Sequence, residues 1–183
     1  MKLFFLSDIH GSLTYAQVAL EAFEREQATH LILLGDVMYH GPRNALPDGY
    51  NPSEVATLLN RYSNSITAVR GNCDSEVDQM LLHFPIMSDS NTIITDKRRI
   101  FVTHGHIYHE DHHPALSVGD VLIHGHTHIP MAKKKGDLFI LNPGSIAIPK
   151  ENHPHTYGVI EDDQFLIKKL DGEVYIESSL VLN

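Results

Sequence analysis

Five times in this chain an apolar run of strand length stops at a histidine, an aspartate or an asparagine. "KLFFLS" leads into "DIHG", "HLILL" into "GD", "SITAVR" into "GNCD", "RIFVTH" into "GH" and "VLIHG" into "HTH". Runs this apolar suit strands covered on both faces. In open α/β sheets ligands bind beyond the carboxyl ends of the strands, so Asp8, His10, Asp36, Asn72, His104, His126 and His128 are expected to converge on one rim.

The segments between the runs set the fold class. Ser12 is a candidate N-cap for a helix reaching about Gln27, and Asn51 with Pro52 opens another that runs to about Tyr62. A short third helix is predicted from Ser75 to His83. Strand and helix thus alternate, which argues for an α/β core with parallel pairs. After Phe84 the texture changes to "NTIIT", "RIFVTH", "VLIHG", "DLFILN", "TYGVIED", "QFLIKKL" and "EVYIESSLVL". This half is predicted to be mostly sheet, with antiparallel pairs and hairpin turns at "DDQ" and "DGE". A length of 183 residues suits one domain spanning the whole chain.

Composition removes several function classes. Lys and Arg total 14 against 23 Asp and Glu, for a formal charge of -9, and the longest basic run is "KKK" at Lys133 to Lys135. A sequence-independent grip on long nucleic acid needs a basic stripe, so such a partner is not expected. "MKLFFL" is too short for the apolar region of a signal peptide, and no run approaches the roughly 20 residues of a membrane span. With Cys73 alone no internal disulfide can form, so the expected location is the cytoplasm, without membrane attachment. A homo-oligomer with closed two-fold symmetry is the default arrangement for such a chain.

An aspartate after a strand is usually a cap or turn residue when taken singly. Taken jointly, seven such residues fall at strand ends in a chain with 8 of its 14 histidines between His104 and His128. If the backbone stays extended through Ile9, Asp8 and His10 point the same way and grip one ion from one side; the same holds for His126 and His128. Imidazole, carboxylate and amide oxygen without thiolate suit Mn, Fe, Zn or Co. Seven ligands exceed what one ion needs but fit two ions sharing a carboxylate. Ions ~3.5–4 Å apart can hold a hydroxide between them and neutralise phosphoryl oxygens.

The ordered set "DIH", "GD", "GNCD", "THGH", "GHTH", from Asp8 to His128, resembles the calcineurin-like metallophosphoesterase family. The trailing "NPGS" (Asn142 to Ser145) resembles its small bacterial branch. The resemblance implies that Asp8, His10, Asp36 and His128 bind one ion, and that Asp36, Asn72, His104 and His126 bind the other, with Asp36 as the bridge. It implies a four-layer αββα sandwich of two mixed sheets and two divalent ions, Mn expected, with Zn, Fe, Co or Ni compatible. The implied activity is hydrolysis of small phosphodiesters, with Asn72 and His104 in the catalytic set; Cys73 is a further catalytic candidate, or a residue that fills space beneath the site. The alternatives are a phosphomonoesterase, or a non-catalytic scaffold like the retromer subunit that shares this fold.

One residue departs from the family pattern. Many members carry histidine where this chain has Cys73, and that histidine is thought to protonate the leaving oxygen. A thiol of pKa ~8.5 is a poor substitute as a positioned acid, which favours diesters whose leaving group needs little protonation. Arg43 and Arg70 are candidates to hold a phosphate oxygen, although Arg70 could equally pair with Asp74 or Glu76. His106 is a candidate for substrate contact or proton donation. His124 is expected to be a strand residue or to orient a ligand imidazole rather than coordinate, and His109, His112 and His113 to lie in a solvated loop.

Overall fold

The computed structural model describes residues 1–182. β1 (Lys2–Leu6), β2 (His30–Leu33) and β3 (Ile66–Ala68) pair in parallel, connected through α1 (Leu13–Arg25) and α2 (Pro52–Asn60). After the four-residue helix α3 (Glu76–Gln79) come β4 (Ser90–Ile94), β5 (Arg99–Thr103), β6 (Val121–Ile123), β7 (Met131–Lys135) and β8 (Leu138–Asn142). β9 (Thr156–Glu161), β10 (Gln164–Lys169) and β11 (Val174–Ser179) complete the chain. The strands form a six-stranded sheet ordered β11-β10-β9-β1-β2-β3 and a five-stranded sheet ordered β4-β5-β6-β8-β7. Both are mixed, since β9, β10 and β11 in the first and β4 and β7 in the second run antiparallel to their neighbours.

Strand alternation divides the core into layers. Phe4 and Leu6 pack outward against Ala19, Leu20 and Phe23 of α1 and Val55 and Leu59 of α2. Leu3 and Phe5 point the other way and meet Val102, Val121, Ile123 and Leu141 of the second sheet. The outer face of that second sheet, formed by Phe101, Leu122 and Ile140, is covered by Tyr108 and Leu116 of the histidine-rich segment, not by a helix. Among the described residues no helix is long and apolar enough to cross a membrane.

Ser12 caps α1 by accepting the N–H of Tyr15, and Asn51 caps α2 with Pro52 at its first position, both as predicted. The hairpin turns fall between Glu161 and Gln164 and between Lys169 and Val174, as the "DDQ" and "DGE" signals require. Three expectations need correction. α2 ends at Asn60, short of Tyr62. α3 stops at Gln79, well before His83, because the Gln79 amide donates to the carbonyls of Leu82 and Phe84 and accepts the N–H of Ile86, replacing helical hydrogen bonds. β7 has no counterpart in the predicted strands: its "MAKKK" hides an edge strand, where lysines are favoured because they keep other strands from pairing.

Candidate metal centre

β1, β2 and β3 of one sheet and β5 and β6 of the other deliver their following residues to a single cluster. Asp8, His10, Asp36, His104 and His128 are buried on its floor, while His126 and Asn72 reach it from more open positions. The strands end before the ligands begin. Asp8, His10, Asp36, His126 and His128 have φ values of 57°, 48°, 54°, 65° and 62°, so five of the seven residues hold the left-handed conformation that non-glycine residues avoid. This corrects the expectation of extended backbone through Ile9. It also divides the second pair: His128 faces Asp8 and His10, whereas His126 faces His104.

Backbone and side-chain clamps hold this strained geometry in place. Asp8 N–H donates to Gly35 O at 3.2 Å, His10 N–H to Asp36 O at 2.9 Å and Gly125 N–H to His104 O at 2.8 Å. Asp74, buried, accepts the N–H groups of Asp36, Val37 and Gly71 at 2.8, 2.8 and 2.7 Å. Burial pushes its carboxyl up to about 6, against those three donors, which favour the charge. Asn142 donates to Gly125 O at 2.8 Å and to Thr127 Oγ1 at 3.0 Å, and Ser145 Oγ donates to Asp8 O at 2.9 Å. The "NPGS" segment is therefore a clamp on the loops that carry Asp8, His126 and His128. Two glycines are obligatory by proximity, since a Cβ on Gly71 would lie 2.1 Å from Asp36 Oδ1 and one on Gly125 1.7 Å from Ser7 Oγ.

Three imidazoles are aimed by carbonyls. Nδ1 of His10, His104 and His128 contacts Tyr39 O, Leu34 O and Ile148 O at 2.8, 2.6 and 2.5 Å. A carbonyl only accepts, so each Nδ1 carries the proton, and in its neutral form each ring turns an Nε2 lone pair inward. His10 Nε2 and His128 Nε2 then face each other at 3.4 Å, and His104 Nε2 lies 3.1 Å from Asn72 Oδ1 and 3.2 Å from His126 Nδ1. Asp8 Oδ2 takes hydrogen bonds from Ser7 Oγ and His126 N–H, while Oδ1 is buried without a donor, 3.2 Å from His128 Nε2 and 3.7 Å from His10 Nε2. Asp36 sends Oδ1 to within 3.5 Å of His104 Nε2 and Oδ2 to within 3.6 Å of His10 Nε2.

Such a gathering of lone pairs and an orphaned carboxylate oxygen is costly unless a cation takes them. The donor set of imidazole, carboxylate and amide fits a divalent metal. Asp8, His10 and His128 form one group whose ligand atoms all lie within 4.8 Å of one another, and Asp8, Asp36 and His104 form another. Burial opposes the Asp8 charge, yet the contact with His128 and the surrounding imidazoles hold its carboxyl well below the usual carboxylate range. Burial pushes His126 down to about 4, reinforced by His104, so this ring is neutral and ready to ligate at pH 7.

The model for the calcineurin-like phosphoesterase superfamily domain matches residues 1–164. The chain belongs to this family. Its relatives include Phosphodiesterase YfcE of Escherichia coli strain K12, 50% identical over 176 residues that make up 96% of each chain. Phosphodiesterase MJ0936 of Methanocaldococcus jannaschii is 27% identical over 79% of this chain and 83% of its own. Among solved structures, Yfce, a phosphoesterase from E. coli, superimposes with a TM-score of 0.97 at 48% identity, over 99% of this chain and 100% of that one. Vps29 of Entamoeba histolytica complexed with zinc shares the calcineurin-like phosphoesterase fold at a TM-score of 0.66 and 19% identity, over 99% of this chain and 100% of its own.

The floor opens into a cleft of about 510 Å³ lined by Arg43, Asn44, Asn72, Cys73, His126, Thr127 and Lys150, among others. Burial, with the Asp36 charge next, pushes the Cys73 thiol up to about 12, so it is neutral at pH 7. Arg70 does not line the cleft; its guanidinium pairs with Asp89 at 3.0 Å rather than with Asp74 or Glu76. His106 stands beside His104, ring centroids 5.3 Å apart, and burial lowers its pKa, which leaves it neutral. His124 orients no ligand ring: its Nδ1 meets Gly125 O at 3.0 Å, and carbonyls do the orienting instead. Sequence reasoning missed Asp74, Asn142 and Ser145 as clamps and Lys150 as a cleft residue. Among these, "NPGS" drew notice only as a likeness and Asp74 only as a candidate partner for Arg70.

Proposed function

We propose that residues 1–183 act as one domain that hydrolyses small phosphodiesters with two divalent ions, Mn foremost. Asp8, His10, Asp36 and His128 would hold one ion, and Asp36, Asn72, His104 and His126 the other. The observation that carries this reading is the division of Asp36, whose two carboxylate oxygens face His10 and His104 separately. When bound, the ions would supply an activated water near neutral pH and neutralise the phosphoryl oxygens.

The chain's own residues do the rest. The carbonyls of Tyr39, Leu34 and Ile148 lock three imidazoles in the tautomer that presents Nε2, so little reorganisation accompanies loading. Arg43 lines the cleft as the guanidinium available to a substrate oxygen. Cys73, a neutral thiol at the cleft wall, is too weak an acid to help an alkoxide depart, which favours diesters with acidic leaving groups over monoesters. The lone cysteine suits a reducing cytoplasm.

The test is hydrolysis of a bis-aryl phosphate by metal-stripped protein before and after adding Mn, with the matching aryl monoester alongside. Metal-dependent diester cleavage with little monoester turnover is expected. Predominant monoester turnover would transfer the reading to a phosphomonoesterase, and no turnover with ions bound would leave a scaffold.

A further inference from the structure

Most of the chain's 14 lysines and arginines sit in ion pairs. Among the described residues, the two cations that line the cleft, Arg43 and Lys150, do not. In a chain of formal charge -9, cations left without a carboxylate at a cleft are available to something that enters it.

The backbone of Lys150 is also held in place. Its N–H donates to His128 O at 3.3 Å, and its carbonyl accepts the N–H of His153 at 3.0 Å across a tight turn. The two central residues of that turn, Glu151 and Asn152, have φ values of 53° and 62°, the combination of a type I′ turn. A glutamate in that position is strained, and strained backbone concentrates where a segment must be presented in one way. The turn begins two residues after Ile148, whose carbonyl aims His128, so the backbone that carries the exposed Lys150 side chain is anchored to the same framework as the floor.

Charge balance indicates what Lys150 faces. Given the two-ion reading proposed above, on which this inference rests, two divalent ions and Arg43 against Asp8, Asp36 and the buried Asp74 carboxylate balance a singly charged diester and its nucleophile. Lys150 is then surplus. The cleft is also larger than a phosphate needs and lies in the range of sites that take whole small molecules. We propose that Lys150 forms a subsite for a second anionic group, a carboxylate or phosphate carried on the ester group that is retained after cleavage.

Calorimetric titration of the Mn-loaded protein with 3-phosphonopropionate and with propylphosphonate tests this without turnover. The carboxylate-bearing ligand should bind about fivefold tighter, the scale of one part-exposed charge pair. Lys150→Ala should bring the two affinities together, Lys150→Glu should invert the order, and Lys150→Arg should keep it. The ratio of kcat/KM for two 4-nitrophenyl diesters, one with a 2-carboxyethyl and one with a propyl group, should follow the same pattern. Equal affinities in the native protein, or a preference that survives Lys150→Ala, would overturn the subsite. Cleavage of both diesters at equal efficiency removes the subsite alone, whereas failure to cleave either with ions bound removes the phosphodiesterase reading.

Discussion

Asp74 Oδ2 accepts the backbone N–H of Asp36 at 2.8 Å, so one buried carboxylate fixes the turn that carries the proposed bridge between the ions. Val37 and Gly71 donate to the same side chain, which makes Asp74 the tie between the end of β2 and the end of β3.

Replacing Asp74 by alanine should strand three N–H groups and destabilise the metal-free protein by about 3 kcal/mol. Asp74→Asn keeps one accepting oxygen and should cost about half as much. Urea denaturation of the two variants checks the order; equal stabilities would show that the donors find other partners.

Asp36→Asn keeps the shape of the side chain but removes the charge shared by both halves of the centre. Bound Mn should fall from two ions per chain to one or none, measured by elemental analysis, and diester hydrolysis should drop by more than about 100-fold. Full metal content in the variant would remove Asp36 from the bridging position.

Asn142→Ala breaks the clamp on the loop from Gly125 to His128 without touching a proposed ligand. Metal affinity should weaken by about 10- to 100-fold, as for other residues that orient ligands, while added Mn restores most of kcat. A loss of kcat that excess metal does not repair would mean that Asn142 acts on the reaction directly.

Cys73→His places an imidazole where the neutral thiol now stands at the cleft wall. Across aryl diesters of rising leaving-group pKa, the variant should gain most on the poorest leaving groups, by about tenfold or more, and little on 4-nitrophenyl esters. A uniform gain across the series would discard a proton-donor role at this position.

Asp120 sits immediately before β6, away from the cleft, where the Ser117 N–H and the Arg99 guanidinium meet it at 2.7 Å. Burial works against its charge, but these donors win and hold its carboxyl below the ordinary value. As pH falls below about 4 the unfolded chain takes up this proton before the folded one, so the stabilisation present at neutral pH is progressively lost. At pH 7 Asp120→Asn should therefore destabilise the metal-free protein by about 1 kcal/mol, and the gap should narrow by pH 3. A gap independent of pH would disconnect the ion pair from acid stability.

The strand ends and the seven clustered residues were legible because apolar runs and their polar terminators are local patterns. The conformation of those terminators was not. Asp8, Asp36 and His128 hold left-handed backbone in loops tied from afar by Gly35 O, Asp74, Asn142 and Ser145, and such clamps leave no periodic trace. β7 escaped for a related reason: three successive lysines carry no alternation, and only the pairing with β8 makes them a strand. Lys150 looked like any surface lysine, since its N–H bonds the carbonyl of a histidine 22 residues earlier in the chain.

The floor draws on both sheets, with Asp8, His10, Asp36 and Asn72 from one and His104, His126 and His128 from the other. With ions held there, residues 120 positions apart in sequence become joined through a shared atom. In a chain whose single cysteine rules out an internal disulfide, the metal pair would take the place of a cystine, riveting the two sheets together at one end and shrinking the freedom of the unfolded chain only while metal is present. Chelation would then loosen the seam between the sheets before it exposed either sheet's outer face, and amide exchange along β1 and β6 would report the order of events.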